Sequence, residues 1–261
     1  MLLVEAVRPP DFDCGASLPA RLRGALGHAL MAMPEPEADD ARRLLFGAAP
    51  AWRARAEVPK PFVIAADERG GSIDIVLTLF GFADRWREPI FDAFVAALAH
   101  GVSGDERPGA IRTPLPAVRV EWARLDTTPV PPPQTSARLL FRTPLRLGPK
   151  HTFGLRWSDL VVSLAERAAG LARWQGARVD PRLSFWRDLG NRLDFRTDDM
   201  QPHFWERRSG AQSGRTIPML GLTGPLDIAR PPEVLMPLLA LGETMHVGGG
   251  AALGLGRYDL L

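Results

Sequence analysis

Apolar positions recur along this chain at two periods, and their alternation predicts its elements. Leu2 to Ala6 is a short strand-like run closed by Arg8, Pro9 and Pro10. LPARLRGALGHALMAM then sets Leu22, Leu26, Ala29 and Met33 at helical spacing, so a helix is expected from about Pro19 to Met33, stopped by Pro34 and Pro36. ADDARRLLFG adds a second helical piece ending at Gly47. After a proline-rich link, Phe62 to Ala65 and Ser72 to Ala83 are rich in β-branched residues and suit two strands of one sheet. Glu88 to His100 carries Ile90, Phe94 and Leu98 on one helical stripe and runs into the turn-rich GVSGDERPG. A strand over Ala117 to Leu125 ends the half.

TTPVPPPQTS, Thr127 to Ser136, has the composition of an extended proline linker, which places a boundary there and gives domains 1–130 and 131–261. The order then begins again. A strand is expected over Ala137 to Leu147, a loop with Lys150 and His151 follows, and Trp157 to Trp174 forms a helix lined by Leu160, Leu164, Ala168 and Leu171. A β-rich irregular stretch containing HFWERRSGAQSGRTIPMLGLTGPLDI leads to a helix over Pro232 to Thr244, a glycine run and a last strand, Arg257 to Leu261. Each half reads strand, helix, strand, strand, helix, strand. That is the order of a ferredoxin-like domain, so the expected class is α+β, with tandem ferredoxin-like (RRM-like) βαββαβ domains.

Composition narrows the chemistry. The 261 residues include a single cysteine, Cys14, which excludes an internal disulfide and a thiolate metal cluster, and the histidines form no HxxxH pair, so no metal is expected. No apolar run approaches the roughly 20 residues of a membrane span, and the start lacks the basic region of a signal peptide. A cytoplasmic protein with no membrane partner is expected. Net charge is only +2, yet Lys60 and Lys150 are the sole lysines. Arginine forks fit phosphate and stack on bases, so this choice suits RNA, while a GC-rich genome explains it equally well.

GGGAALGLGRYDLL, from Gly248, packs five glycines into nine positions. No Lys-Ser/Thr pair follows, GxGxxG is not met, and the run leaves a helix for a strand, which excludes an ATP or NAD cradle. Two readings stay open: a helix stop and wide turn, or a nest of exposed N–H groups for successive phosphates.

The set of stretches VGGGAALGLGRYDLL, LRGALGHAL, LFG followed by PKPFVI, LTLFGFA, FRTPLRL, and ERRSGAQ before IPMLGLTG resembles, in that family's order, the CRISPR-associated RNA-processing endoribonucleases of the RAMP superfamily. The likeness covers essentially the whole chain; GVSGDERPG is a degenerate counterpart of the glycine loop. The resemblance implies an endonuclease that cuts precursor CRISPR RNA within repeats without metal or cofactor. The ribose 2′-OH is its nucleophile, and the products are a 2′,3′-cyclic phosphate and a 5′-OH. Implied partners are CRISPR repeat RNA, precursor and mature, and subunits of a CRISPR effector complex.

Such chemistry needs proton transfers and cations around a phosphorane. His28 is the first candidate, because the resemblance places a catalytic histidine in or near the first helix. On a helical wheel His28 lies off the apolar side beside Arg21, seven residues earlier, so the two are expected on one polar-facing stripe. For RNA binding the candidates are Gly248, Gly249, Gly250, Gly254, Gly256 and Arg257, with Arg207, Arg208 and Arg215 in a basic hairpin and Lys150 and His151 in a loop. Arg23, Arg42 and Arg43 extend the first-domain cluster. His100 reads as a helix cap, His203 stands among aromatics and arginines, His246 either caps its helix or faces substrate, and Tyr258 packs. A non-catalytic guide-RNA-binding RAMP subunit shares the fold and loop, and a small-molecule-binding ferredoxin-like pair is the third alternative.

Overall fold

The computed structural model describes residues 1–34, 36–47, 58–103, 111–125, 135–147, 156–209 and 215–261. Its contacts divide the chain into two compact units, Met1–Arg124 with Glu206–Ile217, and Leu125–Trp205 with Pro218–Leu261.

The first unit runs β1 (Leu2–Val7), α1 (Leu18–Ala32), α2 (Pro36–Phe46), β2 (Phe62–Arg69), β3 (Ser72–Leu79), α3 (Arg87–His100), the short pair β4 (Val102–Ser103) and β5 (Arg112–Thr113), and β6 (Ala117–Trp122). Its main sheet has the order β2-β3-β1-β6, antiparallel throughout. Val4 lies opposite Ile75 on one side and Val120 on the other. Because side chains alternate across a strand, Leu2, Val4 and Ala6 all point to one face, where they are buried together with Leu18, Leu22, Leu26 and Leu30 of α1 and Ile90, Phe94 and Leu98 of α3. The buried stripe of α1 includes Ala25 and Leu30, and the expected Ala29 and Met33 are only half-buried. Residues 81–83, expected as the end of the strand that starts at Ser72, belong instead to a 3-10 turn over Gly81–Trp86 before α3.

The second unit runs β7 (Ser136–Leu145), α4 (Ser158–Ala172), α5 (Leu183–Gly190), β8 (Asp194–Arg196), most of β9 (Gln201–Ser209) up to Trp205, β10 (Arg215–Ala229) from Pro218 on, α6 (Met236–Met245) and β11 (Tyr258–Leu260). The sheet order is β11-β7-β10-β8, with β9 pairing β10. In the first sheet β1 lies between β3 and β6, and in the second β7 lies between β10 and β11, so the opening strand is central and pairs with the closing one, the ferredoxin-like arrangement, and the fold is α+β with tandem ferredoxin-like domains. Register between β7 and β10 is marked by Arg138 opposite Asp227, a two-pronged pair at 2.7 and 2.8 Å whose guanidinium holds the Asp227 carboxyl below the usual carboxylate range. Trp174, Phe141, Leu160, Leu164 and Tyr258 fill the core of this unit. The expected linker lies mostly outside the described residues, and among those described no helix is long and apolar enough to cross a membrane.

Candidate functional site

His28 sits in the second half of α1, exposed to solvent. Gly24, one turn earlier on the same face, is also exposed, and a Cβ built there meets nothing within 4 Å. Together they leave an open stretch of helix surface beside an imidazole. A mid-helix glycine without a packing reason costs helix stability. Gly24→Ala is therefore expected to stabilise the fold by about 1 kcal/mol, read as an upward shift of the denaturant midpoint at unchanged slope.

Arg21 does not share that open face. Seven residues correspond to two turns and roughly 10 Å along the axis, so a shared azimuth does not give a shared environment. At the level of Arg21 the face is covered: the side chain is 4% exposed. Nη1 donates to the Ser103 carbonyl of β4 at 2.6 Å, Nη2 donates to the Asp13 carbonyl, the Asp13 carboxylate is 3.6 Å away, and the guanidinium lies over the Phe12 ring at 5.1 Å. This corrects the expectation of a polar-facing His28–Arg21 stripe, since the guanidinium ties α1 to the 12–15 segment and to β4. Arg21→Met leaves two partly buried carbonyls without donors and is expected to cost about 1–3 kcal/mol in chemical denaturation.

Other first-unit cations are likewise engaged. Arg23 stacks over Phe46, and Arg42 and Arg43 both pair with Asp39. Nδ1 of His100 is 2.7 Å from the Ala96 carbonyl, as suits a residue at the end of a helix. Arg207 and Arg208 lie on β9 and Arg215 on β10, with their side chains outside what is described. Lys150 and His151 fall outside the described residues.

In the second unit the glycine run folds back on its own domain. Gly248, Gly250, Gly254 and Gly256 all have positive φ. The N–H of Gly249 donates to Arg146, that of Gly254 to Ala251 and that of Gly256 to Pro144, at 2.8, 2.9 and 3.0 Å. A Cβ on Gly248 would stand 2.2 Å from the Arg146 carbonyl, and on Gly256 1.8 Å from that of Val247. These glycines are explained by backbone geometry and close approach. The expected nest of exposed N–H groups is corrected to that extent: three of the five amides point inward, and only Gly249 is exposed, with Gly248 and Gly250 half-buried. Arg257 continues the turn, its N–H donating to Thr143 Oγ1, which itself donates to the Gly254 carbonyl. Tyr258 packs as expected, 1% exposed, with its hydroxyl donating to Leu239.

His246 neither caps its helix from the surface nor faces solvent. It is 2% exposed, and burial beside Arg167 and Arg257 lowers its pKa to about 3. Arg167 was missed from the sequence, although a signal was present. The expected stripe was Leu160, Leu164, Ala168 and Leu171; Arg167 stands three residues after Leu164, and α4 buries it with the leucines while Ala168 is half-buried.

Residues 139–258 match the family described as CRISPR-associated endoribonuclease Cas6. No curated protein matches the chain. Among solved structures, Thermus thermophilus Cas6 superposes in a product complex with a TM-score of 0.60 at 20% identity, covering 100% of this chain and 98% of that one. A second Cas6 product complex gives 0.55 at 18% identity, covering 100% of both chains. An RAMP protein binding different RNA substrates gives 0.53 at 9% identity, covering 100% and 98%. The family's sequence pattern spans most of the second unit, and its fold accommodates the whole chain. Over residues 139–258 the chain is similar to the CRISPR-associated endoribonuclease Cas6 family, and over its whole length it shares the fold of solved Cas6 and RAMP proteins.

Proposed function

We propose that the protein cuts precursor CRISPR RNA within each repeat by intramolecular transesterification, with His28 as the proton-transferring group. The ribose 2′-oxygen attacks the adjacent phosphorus as the bond to the 5′-oxygen breaks in line. The 2′-proton passes to a base and a proton is delivered to the departing 5′-oxygen. The products are a 2′,3′-cyclic phosphate and a 5′-hydroxyl. An imidazole suits either transfer, because its ordinary pKa lies close to neutrality. The observation that carries this reading is His28 itself, an exposed histidine on α1 next to the open backbone of Gly24.

Arg21 serves here as a positioning residue that fixes the helix bearing His28. Charge stabilisation of the phosphorane falls to the arginines of the β9–β10 segment, Arg207, Arg208 and Arg215. Lys150, His151, Arg257 and the exposed part of the glycine loop contact the RNA backbone. Relatives solved as product and substrate-mimic complexes support repeat RNA as the partner. The domains act as 1–130 and 131–261, in the cytoplasm.

The test incubates the full chain with cognate repeat RNA in EDTA, beside RNA carrying a single 2′-deoxy substitution at the cleavage site. Cleavage in EDTA that stops with the 2′-deoxy substrate is expected. Persistence on the 2′-deoxy substrate, or loss in EDTA, would overturn the mechanism. Tight binding with no cleavage would instead favour a guide-RNA-holding subunit.

A further inference from the structure

The first sheet runs β2-β3-β1-β6, so among the described residues β6 has a strand neighbour on one side alone. Every residue from Val118 to Trp122 is exposed. The cross-strand rows show how abruptly the cover ends. Leu2 lies opposite Trp122 and Val4 opposite Val120. Directly opposed side chains share a face, so Val120 and Trp122 stand on the side where Leu2 and Val4 are buried. Leu2 and Val4 are 2% and 3% exposed there, whereas Val120 and Trp122 are 46% and 61% exposed. The guanidinium of Arg87, at the start of α3, lies over the Trp122 ring at 5.0 Å and leaves most of it open.

The main chain of β6 is also unfinished. The Ala123 N–H donates to the Met1 carbonyl at 2.9 Å, and the Met1 amino group donates to the Ala123 carbonyl at 2.7 Å. Alternation along an antiparallel ladder then turns Glu121 and Arg119 towards β1, and it points the N–H and C=O groups of Trp122 and Val120 outward. Exposed edges are ordinarily guarded by lysine, proline or a net charge. AVRVEW has no lysine or proline, and its two charges neutralise each other, Arg119 pairing with Glu121 at 2.6 Å. The register with β1 shifts between Glu5 and Ala6, which shortens the regular edge to residues 119–122 without removing it.

We infer that β6 pairs antiparallel with β6 of a second copy of this chain, about a twofold axis through Val120. Outward-facing groups must meet each other, so the registers that fit the backbone are those centred on Arg119, Val120 or Glu121. Charge selects among them. A centre at Arg119 sets that arginine against itself, and a centre at Glu121 opposes two carboxylates. A centre at Val120 places each Arg119 opposite the Glu121 of the other copy, twice over. The same register lets the two Val120 residues exchange both main-chain bonds and brings exposed Val118 to Trp122. The strand is therefore self-complementary, and the sheet continues as β2-β3-β1-β6 into β6-β1-β3-β2 of the second copy. Such an isologous contact closes after two chains. The surface goes beyond the RNA-processing reading and does not depend on it.

The test is sedimentation velocity of the full-length protein over a concentration series, without RNA. Wild type is expected to associate reversibly to twice the mass of one chain. Val120→Lys sets two ammonium groups at the axis and should weaken association at least about a hundredfold, since opposed like charges cost several kcal/mol. The denaturant midpoint of that variant, read below the dissociation concentration, should not move, because Val120 is exposed in the single chain. Arg119→Glu and Glu121→Arg each replace two attractive cross-copy pairs by repulsive ones and should each weaken association about tenfold. An equimolar mixture of these two variants restores opposite charges across the axis and should associate as wild type does. A monomeric wild type, a dimer indifferent to Val120→Lys, or a mixture no tighter than its two components would overturn the proposal. The first of these outcomes would leave the edge to a strand of some other protein, and the second would place the dimer contact elsewhere. Repeat-RNA cleavage by a monomeric wild type would remove this interface and leave the endonuclease; dimerisation without cleavage does the reverse.

Discussion

His28→Ala is expected to slow single-turnover cleavage of repeat RNA by about a hundredfold or more, the usual contribution of a positioned general acid or base. Repeat affinity should stay within about twofold, and the denaturant midpoint should not move. The last two outcomes follow from exposure. His28 is outside the buried stripe of α1 formed by Leu18, Leu22, Ala25, Leu26 and Leu30, so removing its ring opens no cavity. A kcal-scale fall in stability would mean that the imidazole packs against something, and unchanged cleavage would remove it from the reaction. The contrast with Arg21 makes the assignment specific. Arg21→Met should lose stability first, because its donors hold Ser103 and Asp13, and activity should fall only as the fold weakens. If Arg21→Met instead cleaved a hundredfold more slowly with an unchanged midpoint, the roles of the two residues would be reversed.

The two residues also mark how far the sequence could be read. Helical periodicity located α1 to within a residue at each end, because Leu22 and Leu26 make a stripe that only a helix explains. Azimuth was legible; axial environment was not. What covers Arg21 comes from Ser103, more than eighty residues away, and no local pattern encodes that contact. The helix α5 escaped for a related reason. LSFWRDLG is short, starts after left-handed Arg182, and ends at Gly190, where a Cβ would stand 2.8 Å from Ser158 Cα. It is a helix because α4 packs against it, and isolated segments of that length lack the cooperativity to form alone. β10 was legible only as β-rich, since Pro218, Gly221, Gly224 and Pro225 interrupt its alternation. Gly221 and Gly224 admit close backbone approaches at Pro144 and Asp199. The candidate site was legible in its residue types, a helix-borne histidine and a glycine run, while the buried Arg167–His246 neighbourhood emerges only from the fold.

Gly256→Ala should unfold most readily of any single-methyl change in the glycine loop. The new Cβ would lie 1.8 Å from the Val247 carbonyl oxygen, and φ at this residue is 67°. Left-handed backbone alone costs an alanine roughly 1–2 kcal/mol. The clash adds to it, because the neighbour is backbone held on both sides: the Val247 N–H donates to Gly256 and the Gly256 N–H donates to Pro144. A loss of about 3 kcal/mol or more is expected in chemical denaturation, a large part of the stability of a domain this size. Gly249→Ala is the paired control. Gly249 is exposed, has ordinary φ, and its Cβ would come no nearer than 3.8 Å to the Arg146 carbonyl, so its midpoint should move by no more than about 0.5 kcal/mol. If the loop's outer surface meets RNA, Gly249→Ala weakens repeat binding at constant stability, while Gly256→Ala loses binding only together with the fold. Two variants with equal stability and equally reduced binding would mean that the glycines are there for the ligand. Unequal stability would assign Gly256 to the architecture and Gly249 to the surface, dividing one motif between two physical causes.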